Sequence, residues 1–369
     1  MEQPPPGEKI FMARVYNFSA GPATLPVEVL QQAQAELVDY QGHGMSIMEM
    51  SHRGKEYSAV HDEALANVRE LLRLDDEHEV IIVQGGASMQ FAMLPMNFLR
   101  RDTVADYVNS GHWAAAAIKQ ARLVGQVKIA ADTEKTLPAR VPAQEELEWT
   151  PEAVYAHTTS NETISGAQWK RFPETEAPLV ADMSSDILSR PFDANRFAMI
   201  YAGAQKNLGP AGLALVATRK DFAEAGNKSL PSMLRYLPYI EKQSKYNTPP
   251  CFGIYILALT TRWLKNFGLE RMHRQNREKA ARLYATIDAG DFYRGTADKS
   301  CRSDMNVTFR LPTEELETCF CEEAAKADLQ GLKGHRSVGG LRASLYNAFP
   351  LEGVDALVSF MQDFERRFG

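Results

Sequence analysis

Short apolar runs and helical stretches take turns along the first two thirds of this chain, and that alternation restricts the fold more than any other feature. The β-branched run opening at Glu79 is followed by runs at Thr103–Val108, Val127–Ala130, Val154–His157, Leu179–Ala181, Ala198–Tyr201 and Leu213–Ala217. Most are separated by segments of helical or turn character. Strands linked that way return through right-handed crossovers, so the expected class is α/β, a mostly parallel central sheet flanked by helices. Ligands of such sheets gather beyond the C-terminal ends of the strands, which makes the residues just past each run the informative ones.

The stretch past Tyr201, Ala202-Gly203-Ala204-Gln205-Lys206, followed by Gly209 and Gly212, delivers one lysine into a loop of small residues. Small neighbours let a flat ligand approach closely, and a lysine withdrawn from water loses its proton more readily, as an amine must to attack an aldehyde. The plain alternative for Lys206 is a solvated lysine on a turn. Asp182 ends the run Pro178-Leu179-Val180-Ala181, where its carboxylate is either a buried strand-end group or a helix cap. Ser184, Ser185 and the quartet Ser160-Asn161-Glu162-Thr163 fall at equivalent positions. After Glu79 the chain reads Gly85-Gly86-Ala87-Ser88 and then turns helical from Met89 to Leu99, a strand–glycine–helix start whose N–H groups suit a phosphate, although neither a Walker loop nor a GxGxxG pattern is present. Trp113 stands at the mouth of an alanine-rich helix, Ala114–Arg122, either covering a flat ligand or anchoring the helix. His52-Arg53, closing a glycine-punctuated loop, offers a planar fork for carboxylate or phosphate.

Composition removes several classes. The 369 residues are 44% hydrophobic, the length and content of a globular protein with one large domain and a smaller one. A net charge of −6 without a basic block argues against nucleic acid, and no apolar run approaches the roughly 20 residues that cross a bilayer. The opening Met1–Arg14, with Pro4-Pro5-Pro6, lacks a signal-peptide core, and the expected location is cytoplasmic. Four cysteines are too few for a disulfide scaffold, Cys319 and Cys321 point about 200° apart on a helix, and no HExxH occurs, so no metal is expected.

A reactive lysine, a strand-end aspartate, a phosphate-type loop, an aromatic plate and several arginines on one sheet edge together meet the needs of pyridoxal 5'-phosphate. Lys206 would hold its aldehyde, Asp182 its pyridinium nitrogen, Trp113 its ring, Thr163 its phenolic oxygen, and Ala87, Ser88 and Gln205 its phosphate.

The blocks VYNFSAGPA, QGGASMQF, NSGHWA, SNETI, ADMSSD, AGAQKNLGPAG, YNTPP and GHRSVGGLRASLYN, running in order from Val15 to Asn347, resemble the phosphoserine aminotransferases, a family of fold-type I, class V enzymes. The resemblance implies amino-group exchange between L-phosphoserine and 2-oxoglutarate in L-serine biosynthesis, in a homodimer with shared active sites. It further implies that Asn247 and Thr248 reach the cofactor phosphate from the neighbouring subunit. Arg342 matches the ligand of the α-carboxylate, and His52, Arg53, His335 and Arg336 match the cluster for the phosphate or distal carboxylate. Use of 4-phosphohydroxythreonine in vitamin B6 synthesis, known for some members, is left open.

Nearby alternatives are an alanine:glyoxylate aminotransferase, which does not need that cationic cluster, and a cysteine desulfurase, which needs an activated thiol that Cys251 and Cys301 do not suggest. A catalytically silent carrier of the cofactor and a plain nucleotide-binding α/β protein are the more distant ones. The expected organisation is an extension over 1–14, a large cofactor-binding domain over 15–268 whose first residues pack on the small one, and a small α+β domain over 269–369. Expected helices include Pro26–Tyr40 and Thr313–Ala327, the latter opened by a capping pattern, while Ser229–Pro250 reads as loop.

Overall fold

The computed structural model describes residues 14–369. The 1–14 extension therefore falls, except for Arg14, outside the described residues. A two-residue strand, β1 (Tyr16–Asn17), precedes the seven strands of the central sheet: β2 (His78–Gln84), β3 (Val104–Asn109), β4 (Gln126–Asp132), β5 (Ala156–Thr159), β6 (Leu179–Asp182), β7 (Met199–Gly203) and β8 (Leu213–Arg219). They lie in the order β2-β8-β7-β6-β5-β3-β4. β3 pairs in parallel with β4 and β5, β5 with β6 and β6 with β7, whereas β8 runs antiparallel to both β7 and β2. The expected mostly parallel sheet is present, with β8 as its exception.

That exception positions the lysine. Gly203 of β7 pairs with Ala214 of β8, so residues 204–212 form a short return between antiparallel neighbours instead of a crossover helix. Gly212, at φ +101, turns the chain into β8 in a conformation that side-chain-bearing residues rarely adopt. Buried on both faces, the strands read as continuous apolar runs: every residue from Met199 to Gly203 is buried.

Helices α1 (Val27–Ala35), α2 (Lys55–Leu72), α3 (Gly86–Phe98), α4 (His112–Ala121), α5 (Lys220–Glu224), α6 (Tyr236–Glu241) and α7 (Cys251–Phe267) accompany this sheet. α1 is shorter than the sequence pattern suggests. It stops at Ala35, and the following turns bury Tyr40 edge-on against Tyr255 of α7, at 5.8 Å between ring centres. The segment expected to be all loop contains α6, whose Tyr236 and Tyr239 are buried; Pro238 in its first turn is tolerated there and disguises it.

The remaining chain comprises α8 (Leu269–Ile287), β9 (Arg294–Gly295), β10 (Asn306–Arg310), α9 (Glu314–Lys326), β11 (Leu329–Gln330), β12 (Leu341–Ser344) and α10 (Leu351–Phe368). β10 is flanked by antiparallel β9 and β12, and β1 pairs in parallel with β11. Val354, Leu357, Met361 and Phe364 recur at helical spacing as the buried stripe of α10, packing with Phe320 of α9 and Phe309 of β10 around a cluster that also takes in Phe18. Thr313 caps α9, its hydroxyl accepting the Leu316 N–H at 3.2 Å.

α8 reads as a charged helix, yet Lys279 on it is fully buried. Its ammonium donates to the carbonyls of Leu345, Tyr346 and Phe349 at 2.8, 2.8 and 3.1 Å, using all three of its protons. This tripod holds the turn after β12. From that turn the Asn347 N–H donates to Asn207 Oδ1 at 3.0 Å, fixing the residue beside Lys206.

Candidate active site

β2, β3, β5, β6 and β7 all end on the same edge of the sheet, and a cavity of about 420 Å³ lies there. Lys206 reaches it from the β7–β8 return. Its Nζ stands 5.8 Å from the centre of the Trp113 ring. Burial lowers its pKa below the ordinary lysine value, opposed by the carboxylates of Asp182 and Glu162. An amine so placed is held closer to its nucleophilic form than one in water.

Asp182, at the end of β6, is buried. Its Oδ1 accepts from the backbone N–H of Ser184 at 2.9 Å and from the Ser184 hydroxyl at 2.6 Å, while that hydroxyl accepts the Gly203 N–H at 2.9 Å. Among the described residues only Oδ1 takes hydrogen bonds from the protein, which leaves the second oxygen for a ligand. Burial raises the carboxyl pKa; Lys206 and the two Ser184 donors oppose this.

On the opposite wall, α3 starts at Gly86 after Gly85, both at positive φ, +65 and +95. The helix begins earlier than Met89, so Ala87 and Ser88 lie in its first turn, where backbone N–H groups have no helical acceptor. Gln205 sits against Gly203 so closely that a Cβ there would lie 2.8 Å from its Oε1. Trp113 donates from Nε1 to Thr163 Oγ1 at 2.8 Å. Arg342, on β12, donates from one guanidinium nitrogen to the Thr163 carbonyl at 3.1 Å, while its Nε is buried without a partner among the described residues. His335 lines the same cavity, its Nδ1 2.7 Å from the Ser337 hydroxyl and its ring 5.3 Å from that of His112.

Nine of the residues given a cofactor or substrate role from sequence thus meet around one space: Lys206, Asp182, Ala87, Ser88, Trp113, Thr163, Gln205, His335 and Arg342. His52, Arg53, Asn247, Thr248 and Arg336 do not line it. Arg53, Thr248 and Arg336 are exposed. The first two pairs instead sit on loops at one end of a helix pair. The contacts Tyr57–Cys251, Glu63–Arg262 and Glu70–Lys265 advance together along both helices, so α2 and α7 pack in parallel and the loops before Lys55 and Cys251 leave from the same end. His52 Nε2 and Asn247 Oδ1 are buried there without partners among the described residues.

Sequence reasoning gave no role to Ala20, Gly21, Pro22, His112 or Glu162. The first three cover the lysine loop; a Cβ on Gly21 would stand 3.6 Å from the Lys206 side chain, and the Ala23 N–H donates to the Gln205 carbonyl at 2.8 Å. The pairing of β1 with β11, the bond from Ser344 N–H to the Phe18 carbonyl and that from the Tyr346 hydroxyl to the Ala20 carbonyl bring that segment here, and no local signal announces it. Glu162 is fully buried with its carboxylate on the start of α4, and burial pushes its pKa to about 7.

The donor set suits an aromatic phosphate ester carrying an aldehyde: an amine, a carboxylate for a ring nitrogen, an indole plate and a helix start for the phosphate. The buried Thr159 hydroxyl and Arg342 Nε, both on residues lining the cavity and both without partners among the described residues, are places where a bound ligand would complete the hydrogen bonding. Among the described residues no three His, Cys, Asp or Glu side chains are grouped to hold a metal ion, and no helix is long and apolar enough to cross a membrane.

Comparison with known proteins decides the lineage. Residues 15–357 match the model of the family described as aminotransferase class-V. The chain belongs to the class-V aminotransferases. A class-V relative from Desulfosudis oleivorans, named phosphoserine aminotransferase, is 55% identical over 360 residues, covering 96% of this chain and 99% of the relative. Among solved class-V structures, phosphoserine aminotransferase from Bacillus circulans subsp. alkalophilus superposes with a TM-score of 0.93 at 53% identity, covering 96% and 99% of the two chains. A pyridoxal-phosphate-bound phosphoserine aminotransferase from Trichomonas vaginalis gives 0.91 at 37% identity, over 95% and 100%.

Within this class-V fold a desulfurase chemistry finds no support: burial raises the thiol pKa of both Cys251 and Cys301, away from the thiolate that reaction requires.

Proposed function

We propose that this class-V aminotransferase exchanges the amino group between O-phospho-L-serine and 2-oxoglutarate, giving 3-phosphohydroxypyruvate and L-glutamate in L-serine biosynthesis, with pyridoxal 5'-phosphate as cofactor. The observation that carries the reading is the Lys206 amine, enclosed between Trp113 and Asp182 at the sheet edge with its pKa lowered by burial. Bound there, the cofactor supplies an aldehyde for an amine and a ring that takes up the electrons of the substrate's Cα–H bond.

The protein's part is to hold and to move protons. Lys206 would take the proton that the substrate Cα gives up and return it in the later half of the exchange, a task that needs an amine able to lose its charge. Asp182 keeps a proton on the ring nitrogen by offering its free oxygen. Trp113 covers the ring, Thr163 meets the phenolic oxygen, and Ala87, Ser88 and Gln205 hold the phosphate. Arg342 grips the α-carboxylate with donors that the protein leaves unused. His335, Arg336, His52 and Arg53 take the second anion, which is phosphate in one substrate and carboxylate in the other; a planar guanidinium serves both.

The last two of these, with Asn247 and Thr248, act on a second copy of the chain, so that the working form is a cytoplasmic homodimer with shared sites. The exposure of Arg53 and Thr248 and the His52 and Asn247 atoms without partners among the described residues support this arrangement. Gly268, at φ +89 between α7 and α8, is the natural joint between a large domain over 15–268 and a small one over 269–369.

The test is the visible spectrum of the cofactor-loaded protein before and after L-phosphoserine, with L-alanine as control. Loss of the cofactor band with phosphoserine alone supports the reading; an equal response to alanine assigns a different class-V specificity. Lys206→Ala should retain cofactor noncovalently and lose nearly all turnover, and near-normal turnover in it would sink the assignment of the lysine.

A further inference from the structure

α4 begins without a side-chain cap of its own, because its N-cap position is Gly111. The missing acceptors come from Glu162, on the turn after β5. Its Oε2 accepts the Trp113 N–H at 3.1 Å and its Oε1 the Ala114 N–H at 3.0 Å. Gly111 has extended backbone, at φ 163, so the glycine is not needed for conformation. It is needed for room: a Cβ there would lie 2.7 Å from Glu162 Cδ.

The same turn also fixes the other end of the tryptophan, since Thr163, the next residue, accepts the indole N–H. Main chain and ring of Trp113 are therefore both held by consecutive residues of one turn. The turn is itself pinned: the Glu162 N–H donates to the Ala167 carbonyl at 2.8 Å and its carbonyl accepts the Gly166 N–H at 2.9 Å. No salt bridge occupies Glu162 among the described residues, and both of its carboxylate oxygens are taken up by the helix start.

We infer that Glu162 is a positioning residue, capping α4 from outside the helix so that the Trp113 ring is fixed over the place where the cofactor ring binds. This rests on the functional reading above. Glu162 does not line the cavity; it acts through Trp113, which does, and Gly111 is the residue that gives it access.

The test is a double-mutant cycle of Glu162→Ala and Trp113→Phe, read by the pyridoxal phosphate dissociation constant of the reconstituted protein. Glu162→Ala should weaken binding about tenfold, equivalent to about 1.4 kcal/mol, when Trp113 is present, and clearly less when it is Phe. Glu162→Gln, which keeps one acceptor, should recover part of the loss, and Gly111→Ala should reproduce it by displacing the carboxylate. In cofactor-free protein, the fluorescence assigned to Trp113 by difference from Trp113→Phe should become more open to acrylamide quenching in Glu162→Ala. An effect of equal size in both tryptophan backgrounds, or unchanged binding and quenching with only a lowered melting temperature, overturns the inference. Should Glu162→Ala fail to fold, Glu162→Gln and Gly111→Ala are measured in the same two tryptophan backgrounds and decide the question in its place. Absence of cofactor binding by the unmodified protein refutes the proposed function instead and is read separately from these ratios.

Discussion

Lowering the pH from 7 to 5 should cost this fold stability through one histidine beneath the catalytic edge. His157, on β5, is fully buried; its Nε2 lies 2.8 Å from the Tyr201 hydroxyl, its ring stacks on Tyr107 at 4.7 Å, and its Nδ1 has no partner among the described residues. The facing phenols of Tyr107 and Tyr201 are themselves held neutral by burial and offer no countercharge. Burial brings the His157 pKa down from 6.5 to about 3. Between those values the unfolded chain takes up a proton that the folded chain refuses, so stability falls as pH drops below 6.5. At pH 5 the deficit is 1.5 pH units, or about 2 kcal/mol at 1.36 kcal/mol per unit. The assay is urea unfolding at pH 7 and pH 5 for the protein and for His157→Gln, which keeps an amide toward Tyr201 but cannot titrate. Subtracting the two pH responses removes the carboxylates common to both. A double difference of about 2 kcal/mol is expected; one near zero would mean that His157 gains a proton in the folded state and would refute the argument from burial.

Arg53→Ala should raise the KM for phosphoserine far more than that for an uncharged amino acid in steady-state kinetics, and equal effects would remove Arg53 from the anion site. Gly166 sits at φ +79, where an added Cβ would overlap Thr308 Oγ1. Gly166→Ala should therefore cost about 2–4 kcal/mol in urea unfolding, and a loss below about 0.5 would show that the turn relaxes freely. Thr313→Ala removes the acceptor for the Leu316 N–H and should cost about 1 kcal/mol by the same measurement, with no loss showing that water replaces the cap.

The C-terminal hundred residues illustrate how far a local pattern reaches. The stripe on α10, an amphipathic pattern over Glu352–Phe368, and the Thr313 cap are periodic or contiguous signals, and both elements form within a residue of where the pattern puts them. α6 and the end of α1 escape because their boundaries are set by burying tyrosines against distant aromatic partners rather than by local preference. Lys279 looks like one more surface lysine of α8, and only the turn after β12, which brings three carbonyls to it, makes burial of its charge tolerable.

For the site, the sequence alone determined which chemistry was available: a lysine among small residues, a carboxylate at a strand end and a glycine helix start each declare themselves within a few positions, because strand, turn and helix are decided locally. Only the tertiary structure decided their geometry. The antiparallel β8 turned the lysine segment into a short return, the β1–β11 pairing laid Ala20–Pro22 over it, and the turn after β5 brought Glu162 to a helix start 48 residues away. Each of those outcomes depends on backbone partners remote in sequence, and hydrogen bonds between distant segments leave no periodicity in the chain that makes them.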